Sequence, residues 1–288
     1  MAFHFIIRAH PHTLPRSILS SKKIPSNCNE FQLPASYCQM NKMYYFKFFD
    51  MKNKWHSLIA IWLVVFSLTA ASCIAHIHGN GKVVKQERSV SGFDEIIVST
   101  GIEVVLTQDN FEKVVVEADE NIQKIIKTEV NGSKLKIYLD EGINYAKKMK
   151  VYVTLKQLKA IETSSGSEVK TESKITSERL KIHASSGSEI TMELSCNEVI
   201  ADTSSGSEMT LSGTAVSLRA DTSSGSNLHA SKLVTEKGEV SASSGSDLDV
   251  NVTKEIKAHA SSGSDIKVHG NPAIRDTNSS SGGEVDFR

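Results

Sequence analysis

The sequence predicts an all-β protein, a parallel β-helix solenoid with an all-β capping module at its N-terminal end. Three observations predict it. The first is one turn that keeps returning: Ser164-Ser165-Gly166-Ser167, then the same four residues at 185–188, 204–207, 223–226, 243–246 and 261–264, and a worn copy at Ser280-Ser281-Gly282-Gly283. The glycines are 21, 19, 19, 20, 18 and 19 residues apart by subtraction. A period of about 20 residues marks one supersecondary unit stacked on itself. The second is alternation after each turn. Val169, Ile190, Met209, Leu228, Leu248, Ile266 and Val285 stand three residues past the glycine, and polar side chains follow one residue later. The third is the same alternation before the turn, where Ile161, Ile182, Ala201, Ala220, Val240 and Ala258 point inward and Glu162, His183, Asp202, Asp221, Ser241 and His259 point outward. Period-two alternation is the mark of a half-buried strand. Each coil is therefore strand, tight turn, strand and a return segment, with coils stacked as parallel strands about 4.8 Å apart. The strict hexapeptides usual in left-handed β-helices are absent, which favours the right-handed form.

Residues 93–160 lack the turn but read as strands. Val104-Val105-Leu106 and Val114-Val115-Val116 are β-branched runs, and Ile125–Val130 and Lys134–Leu139 flank Asn131-Gly132, a hairpin signal. Lys150–Leu155 alternates again. This module is expected to cover the first coil, since an open solenoid end is an exposed sheet edge.

The N-terminal third has a different character. Met51-Lys52-Asn53-Lys54 is a short basic start, and Leu58–Ala71 is an apolar run of 14 residues followed by Ser72-Cys73. Fourteen residues are too few to span a bilayer and suit a signal-peptide core. Residues 51–72 are thus read as the signal peptide, 73–92 as a linker, and 93–272 as the solenoid domain with a last coil to 288. Residues 1–50 are read as a misassigned upstream extension or a disordered tail. Small residues before Cys73 fit a loose lipobox, which makes Cys73 the lipidated first residue of the mature chain and an outer-membrane or secreted envelope location the expectation. Ala70 in place of leucine and Ile74 in place of a polar residue depart from that pattern, and cleavage after Ala75 is the competing reading. Removing residues 1–72 takes away eight Lys and Arg but two Asp and Glu, turning a balance of 33 and 33 into a net charge of −6. A negative chain lacks the basic stripe of a nucleic-acid binder. With Cys28 and Cys38 upstream and Cys73 lipidated, Cys196 stands alone, so no internal disulfide forms.

Several blocks, in order, carry a family resemblance. They are His78–Val84, Arg88-Ser89-Val90-Ser91-Gly92-Phe93, Gly101–Val104, Val116–Asn121, Leu135–Tyr138, Lys150–Val153, the serine-glycine turns and Gly270-Asn271-Pro272. With these the chain resembles the bacterial head GIN domain family, described as auto-transporter adhesins. The resemblance implies a β-helix like the pectin-lyase solenoids without their catalytic residues, exported and often lipid-anchored in Bacteroidetes-type bacteria.

Candidate sites lie in the outward columns. Asp202 and Asp221 occupy the same position on adjacent coils, about one strand spacing apart, which is also the spacing of a retaining glycosidase pair. No arginine stands in that column. Neighbouring carboxylates are common in any acidic solenoid, so a non-catalytic binding protein is the expected function, with a polysaccharide lyase or glycosidase as the alternative. Glu168, Glu189, Glu208, Asp247 and Asp265 form an acidic ladder beside the turns, interrupted by Asn227 and continued by Glu284. A Ca²⁺ ion would relieve their repulsion through oxygen ligands, whereas the simpler role is to keep the turns soluble; no resident cofactor or metal is expected. The expected partners are a surface ligand, glycan or protein, and a membrane reached through the lipid. Expression from Met51 in a Gram-negative host is expected to give a membrane-associated product that incorporates labelled palmitate, both lost in Cys73→Ala. A soluble wild-type product beginning at His76 would establish ordinary cleavage instead.

Overall fold

The structure, a computed structural model, describes residues 77–288. Cys73, the signal segment 51–72 and the extension 1–50 lie outside the described residues. The chain runs through β1 (Ile77–His78), β2 (Val83–Arg88), β3 (Glu95–Val98), β4 (Glu103–Gln108), β5 (Lys113–Asp119), β6 (Ile126–Asn131), β7 (Lys134–Leu139), β8 (Ile143–Tyr145) and β9 (Met149–Leu155). Then come β10 (Ala160–Thr163), β11 (Glu168–Thr171), β12 (Ile175–Ala184), β13 (Glu189–Thr203), β14 (Glu208–Thr222), β15 (Asn227–Ala242) and β16 (Asp247–Ser261). The chain ends in β17 (Asp265–His269), β18 (Ile274–Ser280) and β19 (Glu284–Phe287). From β10 onward all pairing is parallel, coil on coil, in a β-solenoid of about seven turns.

The return segment expected between strands is itself strand. β13 runs unbroken from one turn to the next, and its buried positions are even-numbered from Ile190 to Cys196 and odd-numbered from Val199 to Thr203. Asn197 and Glu198 both face outward at the switch. A coil closes here by letting two successive side chains point out, which costs no loop.

The turn explains its own sequence. Ser165 has φ 54° and Gly166 φ 70°, and the other copies match, through Ser281 at 49° and Gly282 at 79°. Two central residues with positive φ, and the fourth N–H donating to the first carbonyl (Ser207 N to Ser204 O, 3.3 Å), make this a type I′ turn. Glycine takes the second site without steric cost. The glycine N–H then donates to the left-handed serine carbonyl of the next coil, as from Gly166 to Ser186 (3.1 Å) and Gly206 to Ser224 (3.2 Å). The fourth serine points inward. Ser167, Ser188, Ser207, Ser226, Ser246 and Ser264 are buried. The Ser207 hydroxyl accepts the Ser204 N–H at 3.2 Å and donates to a carbonyl, with Ser204 O at 2.8 Å and Ala184 O of the preceding coil at 2.9 Å in reach. Inward threonines complete the cluster, with Thr163 2.9 Å from the Ser188 hydroxyl and Thr222 3.0 Å from that of Ser246.

The opening module is more solenoid than the sequence suggests. β3 and β4 stack in register on β10 and β11, joined by Ser99-Thr100-Gly101-Ile102. Thr100 (φ 66°) and Gly101 (φ 71°) reproduce the turn, and the Gly101 N–H donates to Ser165 O at 3.0 Å. β7 and β9 stack on the far side of β3 and β4, so a later stretch of chain forms the outermost layer. The antiparallel strands β5, β2 and β6 then extend that layer's edge. Residues 83–88, read from sequence as linker, are one of these covering strands. The hairpin between β6 and β7 turns on Gly132-Ser133 with only Gly132 at positive φ, because Asn131 pairs with Lys134 as the last strand residue.

The opposite end is closed by composition. Thr277 and Ser279 fall in register on Ala258 and Ala260, replacing core alanines with solvated side chains. The worn turn has a steric cause. A Cβ on Gly283 would sit 2.5 Å from the Ala260 carbonyl carbon, so serine cannot stand there.

The core is a set of apolar ladders. Ile190, Met209, Leu228, Leu248 and Ile266 are in register and essentially fully buried. Leu228→Ala is expected to cost about 2–5 kcal/mol through its cavity, and Leu228→Asp more, since it buries a charge between Met209 and Leu248. Wild-type thermal stability in the Asp variant would contradict this register.

Candidate functional site

The candidate residues stand on two outward faces beside the turns. After each turn the column reads Glu103, Glu168, Glu189, Glu208, Asn227, Asp247, Asp265 and Glu284, every neighbour in register. The acidic ladder is therefore real and begins one coil earlier than its sequence pattern shows. Basic residues knit it together. Lys150 closes its end, 2.5 Å from Glu103, and Lys170 pairs with Glu168. Each lysine pKa is raised, first by that hydrogen bond. His229 bridges coils, its Nδ1 3.3 Å from Asp249 Oδ2 and its Nε2 3.9 Å from Glu208 Oε1. Among the described residues, no three His, Cys, Asp or Glu side chains gather in an arrangement able to hold a metal ion. The carboxylates of the ladder follow one another strand by strand.

Before each turn the column reads Glu162, His183, Asp202, Asp221, Ser241, His259 and Asn278, again in register. Asp202 and Asp221 are brought together as expected. Burial raises the Asp202 pKa, and the Asp221 charge raises it further, while His183 and Arg219 act against both. No arginine stands in the column itself, but Arg219 is a basic neighbour one column over, its Nε 3.9 Å from Asp221 Oδ2. It sits two residues before Asp221 on the same strand and face, so a scan of one column passes it by. His183 and His259 lie four coils apart. Cys196 is buried and the free cysteine of the described chain, its pKa raised by burial, which makes it a packing group rather than a nucleophile. The inward serine ladder was the feature that surface-column reasoning missed, although the fourth serine recurs in six copies and signals it.

A laddered solenoid with flat outward columns defines the class. The family model described as "Putative auto-transporter adhesin, head GIN domain" matches residues 92–272, and the chain belongs to that family. No curated protein matches the sequence. The fold is shared with a putative adhesin from Bacteroides fragilis, at 22% identity and TM-score 0.71, covering 74% of this chain and 100% of that one. It is also shared with a putative adhesin from Parabacteroides distasonis (20%, TM-score 0.61, 74% and 100%) and with a protein of that organism titled a putative lipid binding protein (19%, TM-score 0.62, 74% and 100%).

The Asp202 shift has a testable sign. A carboxyl with a raised folded-state pKa contributes stability that is full below the unfolded value of about 3.9 and lost as pH rises through the folded one. Asp202→Asn is expected to raise the melting temperature at neutral pH, with the gain shrinking as pH falls toward the unfolded value of about 3.9 and absent below it. A loss of stability at neutral pH would overturn this account of the pair.

Proposed function

We propose that this chain is a non-catalytic, adhesin-like binding protein of the cell envelope, held at the membrane by lipid on Cys73, facing the periplasm or the cell surface. It presents its solenoid to a surface partner, a glycan or a protein. One observation carries the reading: the exposed columns on both sides of the turns repeat in register over successive coils, which suits a long repetitive partner better than one reacting bond. Family membership and the adhesin names of the structural neighbours support it. A catalytic site needs a nucleophile or base convergent with an acid around one reacting atom. Asp202 and Asp221 instead follow the strand spacing, with Arg219 turned to Asp221 in a solvent-screened pair of little strength.

The test combines binding and turnover. Purified protein screened on immobilised glycans and matrix proteins is expected to bind without degrading pectic or other acidic polysaccharides. The Asp202→Ala/Asp221→Ala variant is expected to stay folded and bind about tenfold more weakly, a difference of about 1.4 kcal/mol. Turnover that disappears in the folded double variant would make the protein an enzyme. Unchanged binding of every partner would leave the column a solvated face.

A further inference from the structure

The Arg88-Ser89-Val90 segment belongs to neither ladder, yet the structure builds something with it. Arg88 ends β2, where that strand pairs with β5 in the capping layer. Its Nη2 donates to the backbone carbonyl of Gln123 at 2.6 Å and lies 3.2 Å from that residue's Oε1. Gln123 is itself buried and anchored, its Nε2 donating to Val84 O at 2.8 Å and reaching Val116 O at 3.2 Å. The guanidinium is thus held in one place by a side chain that ties β2 to β5. Its Nε is buried with no hydrogen-bond partner, and among the described residues no carboxylate pairs with it. A part-buried cation without a counter-charge is costly, and burial lowers the Arg88 pKa accordingly.

Arg88 lines a shallow, largely open depression of about 530 Å³. Lys124 and Lys127 also line it, from the segment leading into β6 and from β6 itself. Lys127 is shared with Asp140 at 3.3 Å, while Lys124 has no ion-pair partner among the described residues. Ser89, Thr128 and Glu129 add two hydroxyls and one carboxylate to the lining. Three cations border the hollow against two carboxylates, Glu129 and the Asp140 that pairs with Lys127.

We propose that this hollow in the capping layer is a binding site for an acidic saccharide, whose carboxylate or phosphate group is taken by Arg88 and Lys124. Arg88, held by its own hydrogen bonds, sets a fixed positive charge at the wall of the hollow, its Nε shut off from solvent. The Ser89 and Thr128 hydroxyls supply neutral contacts for sugar hydroxyls, and the Glu129 carboxylate accepts hydrogen bonds from them. The site is separate from the turn-flanking columns, and its occupancy does not depend on them.

Calorimetric titration of the purified protein tests it with four probes: oligogalacturonate, its methyl ester, glucose 1-phosphate and inorganic phosphate. Oligogalacturonate or glucose 1-phosphate is expected to bind, and the one that does identifies whether carboxylate or phosphate carries the charge. The methyl ester and inorganic phosphate are expected to bind at least tenfold more weakly. Lys124→Ala/Lys127→Ala, on exposed and half-exposed positions, should lose at least tenfold in affinity with an unchanged melting temperature, and Arg88→Gln should lose more. Asp202→Ala/Asp221→Ala should bind these probes as wild type does, which keeps this result apart from the column reading. Failure of both sugars to bind, equal binding of inorganic phosphate, or a wild-type affinity in the double lysine variant would each overturn the proposal.

Discussion

The structure hangs on a hydrogen bond between turns. In each coil the glycine N–H donates to the carbonyl of the left-handed serine one coil on, from Gly101 to Ser165 at one end to Gly263 to Ser281 at the other. Parallel strands alone can slide, and a slip of one residue would turn every core side chain outward. The turn removes that freedom, because its carbonyl meets the next glycine only when every coil carries the same two positive-φ residues at the same place. A serine in that conformation is disfavoured. The fold accepts the cost once per coil, in return for a fixed register that lets Ile190, Met209, Leu228, Leu248 and Ile266 meet as one ladder.

The second constraint is that this register carries polar groups into the core. Ser188, Ser207 and Ser226 are buried as deeply as the leucines beside them. Left unpaired, each hydroxyl would cost about 1–3 kcal/mol. None is left so. Each of these serines accepts the first turn N–H and has a carbonyl in reach, and Thr163, Thr203 and Thr222 share the network before three of the turns. The surface inherits the same regularity, so outward residues recur at strand spacing whether or not they bind anything.

The repeat was legible because side-chain volume and turn chemistry recur together: Leu228 and its neighbours, and the serine-glycine turns, give period and register without coordinates. Two parts were not. The coil of 95–108 was hidden because its turn reads Ser99-Thr100-Gly101-Ile102 and because the excursion from 109 to 155 separates it from the next turn. Thr100 tolerates its backbone only because its hydroxyl donates to Ser99 O at 2.6 Å and accepts the Leu139 N–H at 2.8 Å, partners that lie far along the chain or in no sequence pattern. The Arg88 hollow was equally hidden, since the link from Arg88 to Gln123 spans 35 residues across antiparallel strands. Residues on one column could be paired by counting along the repeat, and Arg219, two residues before Asp221 on the same face, lay within reach of the same alternation.

The last coil gives the molecule an end. Up to Ser261 each strand offers the next a matching edge, alanines over alanines and a serine under the turn. At 277–283 the alanine positions become Thr277 and Ser279, and the serine position becomes Gly283 pressed against the Ala260 backbone. A further coil laid on that edge would meet hydroxyls where it needs methyls. It would also find no side chain at Gly283 to accept a turn N–H. Stacking on the β18 half of this edge is thereby disfavoured, while β19 still carries Val285 and Phe287 on the core ladders. Thr277, Ser279 and Gly283 are what set this edge apart from the coils before it.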